Sequence, residues 1–295
     1  MVKKFSKIKY PMCVEFDDEN NQVYIATTEN WIYIIDGISF EIVKRYKVNV
    51  KTYLNKVEND NFQLVAMAKI KESKYMVLTA MTVGKTFIIK SDICNEHSEI
   101  IYESEFDFYL DEIFKIGSKL CIFDEKKLIN NFEDNYEENK IIYDVVGDAN
   151  IPIYLIKRRI GLRKSKPSCI GNLLKRMNLS FSKCNYLDFI SPDEKYMVIK
   201  SENWYIESME TKEKFFIPVD VSYYELHVKY NMINKMFLFI NEDLEKSVFI
   251  IQLEKNQIKL QTYKGYCDAE FLTDGIFLLN QEGESEYIPY NFIYN

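Results

Sequence analysis

The chain has 295 residues, 47% apolar and 15% aromatic, with a formal net charge of −7. That apolar content excludes disorder and is ample for a buried core, while the acidic balance opposes approach to nucleic acid. With only nine glycines and six prolines, the chain lacks the glycine supply of phosphate-binding loops, and its aromatic excess favours strands.

The first ten residues, MVKKFSKIKY, start out basic, but Lys7 and Lys9 interrupt them before an apolar stretch of secretory length, so no leader is expected. Phe5 and Ile8 alternate with Lys7 and Lys9, which reads as a strand. The longest apolar runs, such as 236–240 and 248–251, fall far short of the roughly 20 residues that span a bilayer, so no membrane segment is expected. Six cysteines (Cys13, Cys94, Cys121, Cys169, Cys184 and Cys267) are scattered without C-x-x-C pairs, as befits reduced thiols of a cytoplasmic protein.

Residues 12–16, 23–27, 31–36 and 42–48 read as four short strands separated by polar turns. The first turn, Asp17-Asp18-Glu19-Asn20-Asn21, sets oxygen ligands at alternate positions as calcium loops do. It lacks the glycine and the later glutamate of such a loop, so an acidic hairpin turn is expected. Trp31 opens the third strand within Thr28-Glu29-Asn30-Trp31, and the only other tryptophan recurs in Ser201-Glu202-Asn203-Trp204. At that position a large ring is expected to fill the gap between neighbouring sheets.

The same plan recurs downstream, with Tyr-x-Asp/Glu followed by a turn and a run of β-formers. It appears at Tyr109-Leu110-Asp111 before 119–123, Tyr186-Leu187-Asp188 before 195–199, Tyr223-Tyr224-Glu225 before 235–239, and Tyr266-Cys267-Asp268 before 274–278. Second strands open at 22, 74, 119, 195, 235 and 274, and the wide interval after 119 leaves room for a degenerate copy around 151–156. Units of about forty residues with four strands each are propeller blades. A two-sheet sandwich uses similar strands but rarely keeps such a period.

The phrase Ser191-Pro192-Asp193-Glu194-Lys195-Tyr196-Met197-Val198 resembles the hairpin of WD40-like and related cytosolic β-propeller families, with Glu194 where glycine is usual. The chain contains no Trp-Asp dipeptide and no Gly-His pair, so the likeness is architectural. The expected fold is all-β, one domain over residues 1–295, with about seven four-stranded blades; six or eight are the alternatives. The N-terminal strand is expected to close the ring and leave no open edge.

Residues 149–187 break the pattern. They hold no Asp or Glu but nine basic residues, among them Arg158, Arg159, Arg163, Lys164, Lys166, Lys175 and Arg176. Arginine forks suit phosphate and carboxylate, so this window is a candidate site for an anionic partner. The plainer expectation is a solvated loop or short helix packed on the protein's own acidic surface.

Asp111, Asp188, Glu225 and Asp268 would sit on innermost strands and face a central channel. There they either offer carboxylates to a ligand or accept hydrogen bonds that fix one blade to the next. His97 and His227 are the only histidines, and no nucleophile, metal or phosphate-loop motif accompanies them. No metal or cofactor is expected.

The function these features point to is a non-catalytic scaffold for a protein or peptide partner. A propeller hydrolase or lyase using channel carboxylates is the alternative of a different class, and anion or nucleic-acid binding by the basic window is another. Lysine far outnumbers arginine, which suggests an AT-rich, bacterial genome, where an acidic binder serves as an inhibitor or immunity-type protein.

Overall fold

The computed structural model describes residues 3–4, 8–50, 62–82, 85–103, 108–109, 113–116, 119–126, 142–146, 153–159, 187–191, 193, 195–199, 204–218, 226–241, 246–254 and 257–293. After β1 (Lys3–Lys4), the first sheet is the antiparallel meander β2 (Pro11–Asp17), β3 (Gln22–Thr27), β4 (Trp31–Asp36) and β5 (Ile42–Lys47). The second repeats it with β6 (Gln63–Lys69), β7 (Tyr75–Thr82), β8 (Lys85–Asp92) and β9 (His97–Glu103).

The third sheet departs from the pattern. It holds β10 (Phe108–Tyr109), β11 (Ile113–Ile116), β12 (Lys119–Lys126), β13 (Ile142–Val146) and β14 (Ile153–Arg159), and β12 pairs with β14 in parallel. Residues 151–156, expected to begin a further unit, thus supply a strand to this sheet.

The fourth sheet is β15 (Leu187–Ile190), β16 (Tyr196–Ile199), β17 (Tyr205–Ser208) and β18 (Lys214–Phe216). The fifth is β19 (Leu226–Asn231), β20 (Met236–Asn241), β21 (Ser247–Glu254) and β22 (Gln257–Lys264). The sixth joins β23 (Tyr266–Phe271), β24 (Gly275–Asn280) and β25 (Ser285–Pro289) to β1, with Lys3 opposite Tyr287. A short helix, α1 (Tyr290–Ile293), follows. Six sheets are therefore present among the described residues, and the N-terminal strand pairs with the last of them.

Second strands read as almost unbroken apolar runs because each sheet is covered on both faces. In β20 every residue from Met236 to Asn241 is buried, and β24 is buried from Gly275 to Leu279. Neighbouring sheets share cores in sequence. Sheets one and two meet through Tyr24, Ile32, Leu64 and Leu78. Sheets two and three meet through Ala68, Val77, Leu120 and Ile153. Sheets four and five meet through Trp204, Ile206, Phe237 and Phe239, and five and six through Leu238, Val248, Leu278 and Ile288. The sixth returns to the first through Val14, Ile25, Phe277 and Leu279.

Trp204 fills such a gap, meeting Phe239 edge-on at 6.5 Å. Trp31 differs: it is half-buried, and the Arg45 guanidinium of its own sheet lies 5.1 Å over its ring.

The hairpins turn on side-chain oxygens. Asp17 Oδ1 accepts the amides of Glu19 and Asn20, Asp92 Oδ1 those of Cys94 and Asn95, and Asn231 Oδ1 those of Ile233 and Asn234. These are Asx turns, which tie the chain locally. Because the chain is poor in glycine, other residues take the left-handed turn positions: Asn21 at φ 50°, Glu72 at 54°, Glu96 at 56° and Lys235 at 51°.

Gly283, at φ 80°, is a position no other residue fits, since an added Cβ would stand 1.4 Å from the Ile8 carbonyl oxygen. Its own carbonyl accepts the Ile8 amide at 3.0 Å. The β24–β25 turn therefore lies beside the entry to β2, so β2 and β23 start on the same side of the molecule.

Candidate functional site

One cavity of about 210 Å³ is lined by a strand from every sheet. β2 contributes Cys13 and Glu15, β6 Met67, β11 Ile113, β15 Phe189, β19 His227 and Lys229, and β23 Asp268 and Glu270. Alternation along these strands sends one set of side chains to the cavity and the other to the seams.

Charge gathers on one wall. The Lys229 ammonium lies 3.1 Å from Asp268 Oδ1 and 3.0 Å from Glu270 Oε2, and it donates to the carbonyls of Val14 at 2.9 Å and Ala269 at 2.8 Å. Asp268 Oδ2 accepts the Val14 amide at 2.6 Å, and Asp268 Oδ1 accepts the Ala269 amide at 2.7 Å. Glu270 Oε1 accepts the Phe271 amide at 3.0 Å, and Glu15 Oε1 the Lys69 amide at 3.0 Å. Three carboxylates thus surround one ammonium where the fifth, sixth and first sheets meet.

Burial alone would lower the Lys229 pKa, but the charges of Asp268, Glu270 and Glu15 outweigh it and hold the ammonium firmly protonated. Glu270 moves the other way: burial pushes its pKa up, Lys229 pulls it down, and Glu15 and Asp268 raise it again, leaving it at about 7.

A second lysine makes a simpler pair. Lys69, at the end of β6, lies 3.6 Å from Asp17 Oδ2 and donates to the carbonyls of Ile70 at 2.8 Å and Ser73 at 2.5 Å. Burial opposes the Asp17 charge, yet the Asn20 amide, Lys69 and the backbone amides of Glu19 and Asn20 keep its pKa below the usual carboxylate range.

Of the expected channel carboxylates, Asp268 lines the cavity, and its hydrogen bond to Val14 joins one sheet to the next. Asp188 lies on β15, with its side chain outside the described set. Asp111 and Glu225 lie outside the described residues, as do Arg163, Lys164, Lys166, Lys175 and Arg176; Arg158 and Arg159 end β14. Glu15, Lys229 and Glu270 were not singled out by the sequence. The signal was charge on innermost strands: Lys229 in HVKY, and Asp268 with Glu270 in CDAEF.

No group of three or more His, Cys, Asp or Glu side chains among the described residues is placed to hold a metal ion. No described helix is long and apolar enough to cross a membrane.

The β-propeller domain of Cps50 (Swd1) from Myceliophteria thermophila is similar to this chain, covering 98% of it and 99% of that domain, at a TM-score of 0.55 and 8% identity. The chain is a β-propeller in fold. A chain of the mitotic checkpoint complex also matches, covering 94% of this propeller and 75% of its own length, with 7% identity and a TM-score of 0.43. No protein-family model matches the sequence, and no curated protein does. The sheets of the propeller are its blades, and the cavity lies among their innermost strands.

Proposed function

We propose that this propeller is a non-catalytic binding scaffold that holds a protein or peptide partner on one of its two faces. The reading rests on where large apolar side chains are exposed. Ile38 is 74% exposed in the β4–β5 turn and Ile233 is 89% exposed in the β19–β20 turn, beside exposed Met232; Phe292 is exposed on α1.

These turns share a face. Asn21 and Gly37 join the two turns of the first blade, and Glu19 accepts the Glu72 amide from the matching turn of the second. Asn231 and Leu272 meet at the Tyr290 hydroxyl. Exposed Ile42 and Val43 begin β5 on the same side. Apolar side chains gathered on loops at one end are what a partner surface offers.

The cavity supports the scaffold over a hydrolase or lyase. Lys229, Asp268 and Glu270 are engaged with one another and with backbone groups. Six innermost strands around one cavity, with β1 completing the sixth sheet, favour a ring of six closed by the N-terminal strand. The net charge of −7 fits a basic partner and hence an inhibitor or immunity-type role in the cytoplasm.

The test is affinity purification from the native host with wild-type protein and with an Ile38→Asp, Ile233→Asp double variant. A partner identified by mass spectrometry is expected to be lost from the variant while its melting temperature stays unchanged. Retention of that partner would sink the reading.

A second reading rests on the basic window. Nine basic residues with no acid between 149 and 187 favour an anionic partner there. Reversal of Arg158, Arg159 and Arg163 to Glu is expected to abolish its recovery. For nucleic acid, affinity would fall by about 0.9 log units per log unit of salt for each phosphate neutralised, and a flat salt response excludes that partner.

A further inference from the structure

The cavity wall carries more carboxylates than it has cations to balance them, and the excess lies where the last blade meets the first. Asp268 on β23 holds the Val14 amide of β2, Lys229 from β19 reaches the Val14 carbonyl, and Glu270 leans on the same ammonium. We propose that Glu270 is a proton-operated latch for this seam: with the proton bound the three blades are held together, and with the proton lost the added negative charge beside Asp268 and Glu15 loosens them.

The cavity that Glu270 lines brings few titratable groups to it. Lys229 and His227 come from β19, Glu15 and Cys13 from β2 and Asp268 from its own strand, while β6, β11 and β15 add Met67, Ile113 and Phe189; Tyr230 of β19 turns its ring to Tyr196 and Phe237. Among the described residues, the cation in contact with Glu270, Lys229, is already shared with Asp268 at 3.1 Å and two carbonyls. A full charge on Glu270 therefore finds an ammonium already in use, one backbone amide from Phe271 and two like charges nearby, and like charges in a poorly solvated wall repel strongly.

The direction of the effect follows from linkage. A carboxyl that ionises later in the folded chain than in the unfolded chain favours the folded state at low pH. Its contribution is complete below the ordinary value of 4.5 and is lost as pH rises through about 7. The latch tightens as pH falls, the reverse of an ordinary ion pair. The latch does not depend on the partner-binding face, so either idea can fail alone.

The test is residue-resolved amide exchange on the full chain between pH 5.5 and 8.5, corrected for intrinsic exchange. Protection of the Val14 and Ala269 amides is expected to fall by at least about tenfold as pH rises, one pKa unit of linkage being a factor of ten. The Ala68 and Val77 amides of the second blade should not change. The response should vanish in Glu270→Gln and persist in His227→Gln. In Glu15→Gln, which keeps an oxygen for the Lys69 amide but removes the repulsion, its midpoint should move to lower pH. A flat wild-type profile, a response that survives Glu270→Gln, or one that disappears in His227→Gln overturns the proposal. If Glu270→Gln does not fold, an unmoved midpoint in Glu15→Gln overturns it equally well.

Discussion

Lys69, at the turn end of β6, and Lys229, in the middle of β19, both lie on innermost strands, and each ties its blade to a neighbour. Their surroundings differ in charge count. Lys69 meets one carboxylate, Asp17, and two carbonyls, and Asp17 is further supported by the Asn20 side chain and two amides. Lys229 faces Asp268 and Glu270 directly, with Glu15 close by. One pair is balanced and supported by its own turn; the other is overloaded and depends on long-range partners. A buried ion pair can be replaced by apolar groups at modest cost, but stripping the cation from several buried acids leaves them unpaired.

The largest expected break in this comparison is Lys229→Met. With the ammonium gone, neighbouring carboxylates lose their cation, and urea unfolding should report a loss of about 3–5 kcal/mol. Lys69→Met leaves Asp17 held by its turn, so about 1–2 kcal/mol is expected. Equal losses from the two variants would show that charge count is not what distinguishes the seams.

Acid sharpens the contrast because the two carboxyls respond with opposite sign. Asp17 has a lowered pKa, so its contribution is present above the ordinary 3.8 and is lost as pH falls. Asp17→Asn should therefore cost stability at pH 7 and little near pH 2, whereas Glu270→Gln should cost least at pH 8, where the wild-type acid is already charged. The smallest effect concerns the turn next to the Lys229 strand. Lys235 sits at φ 51°, and Lys235→Gly should raise stability by up to about 1 kcal/mol in thermal unfolding.

Much of the blade structure was legible in the sequence. The strand Trp31–Asp36 was placed to the residue, and Gly275–Asn280 overlaps the run 274–278 read after Tyr266-Cys267-Asp268. Alternation, polar turns and the forty-residue period are local signals. The third sheet was not anticipated, because its parallel pairing of β12 with β14 departs from the meander on which the period depends.

Asp268 was legible as part of a recurring Tyr-x-Asp phrase. Lys229, Glu15 and Glu270 were not, since their meaning depends on which innermost strands become neighbours around the cavity. A lysine in an alternating strand reads as solvent-facing until the facing acids are known. The two Glu-Asn-Trp phrases make the same point: Trp204 packs across a seam while Trp31 rests under Arg45, and the difference arises from neighbours that the repeated phrase does not encode.

The bond between Val14 and Asp268 joins residues 254 positions apart. At a ribosomal pace of about 5–20 residues per second, β2 is made roughly 10–50 s before its partner on β23. Throughout that interval the buried apolar side of the first blade has no sixth blade to cover it. Slow translation or a stall within the last two blades would prolong the exposure, which makes the timing of synthesis, and not stability alone, a determinant of how much of this protein reaches its folded state.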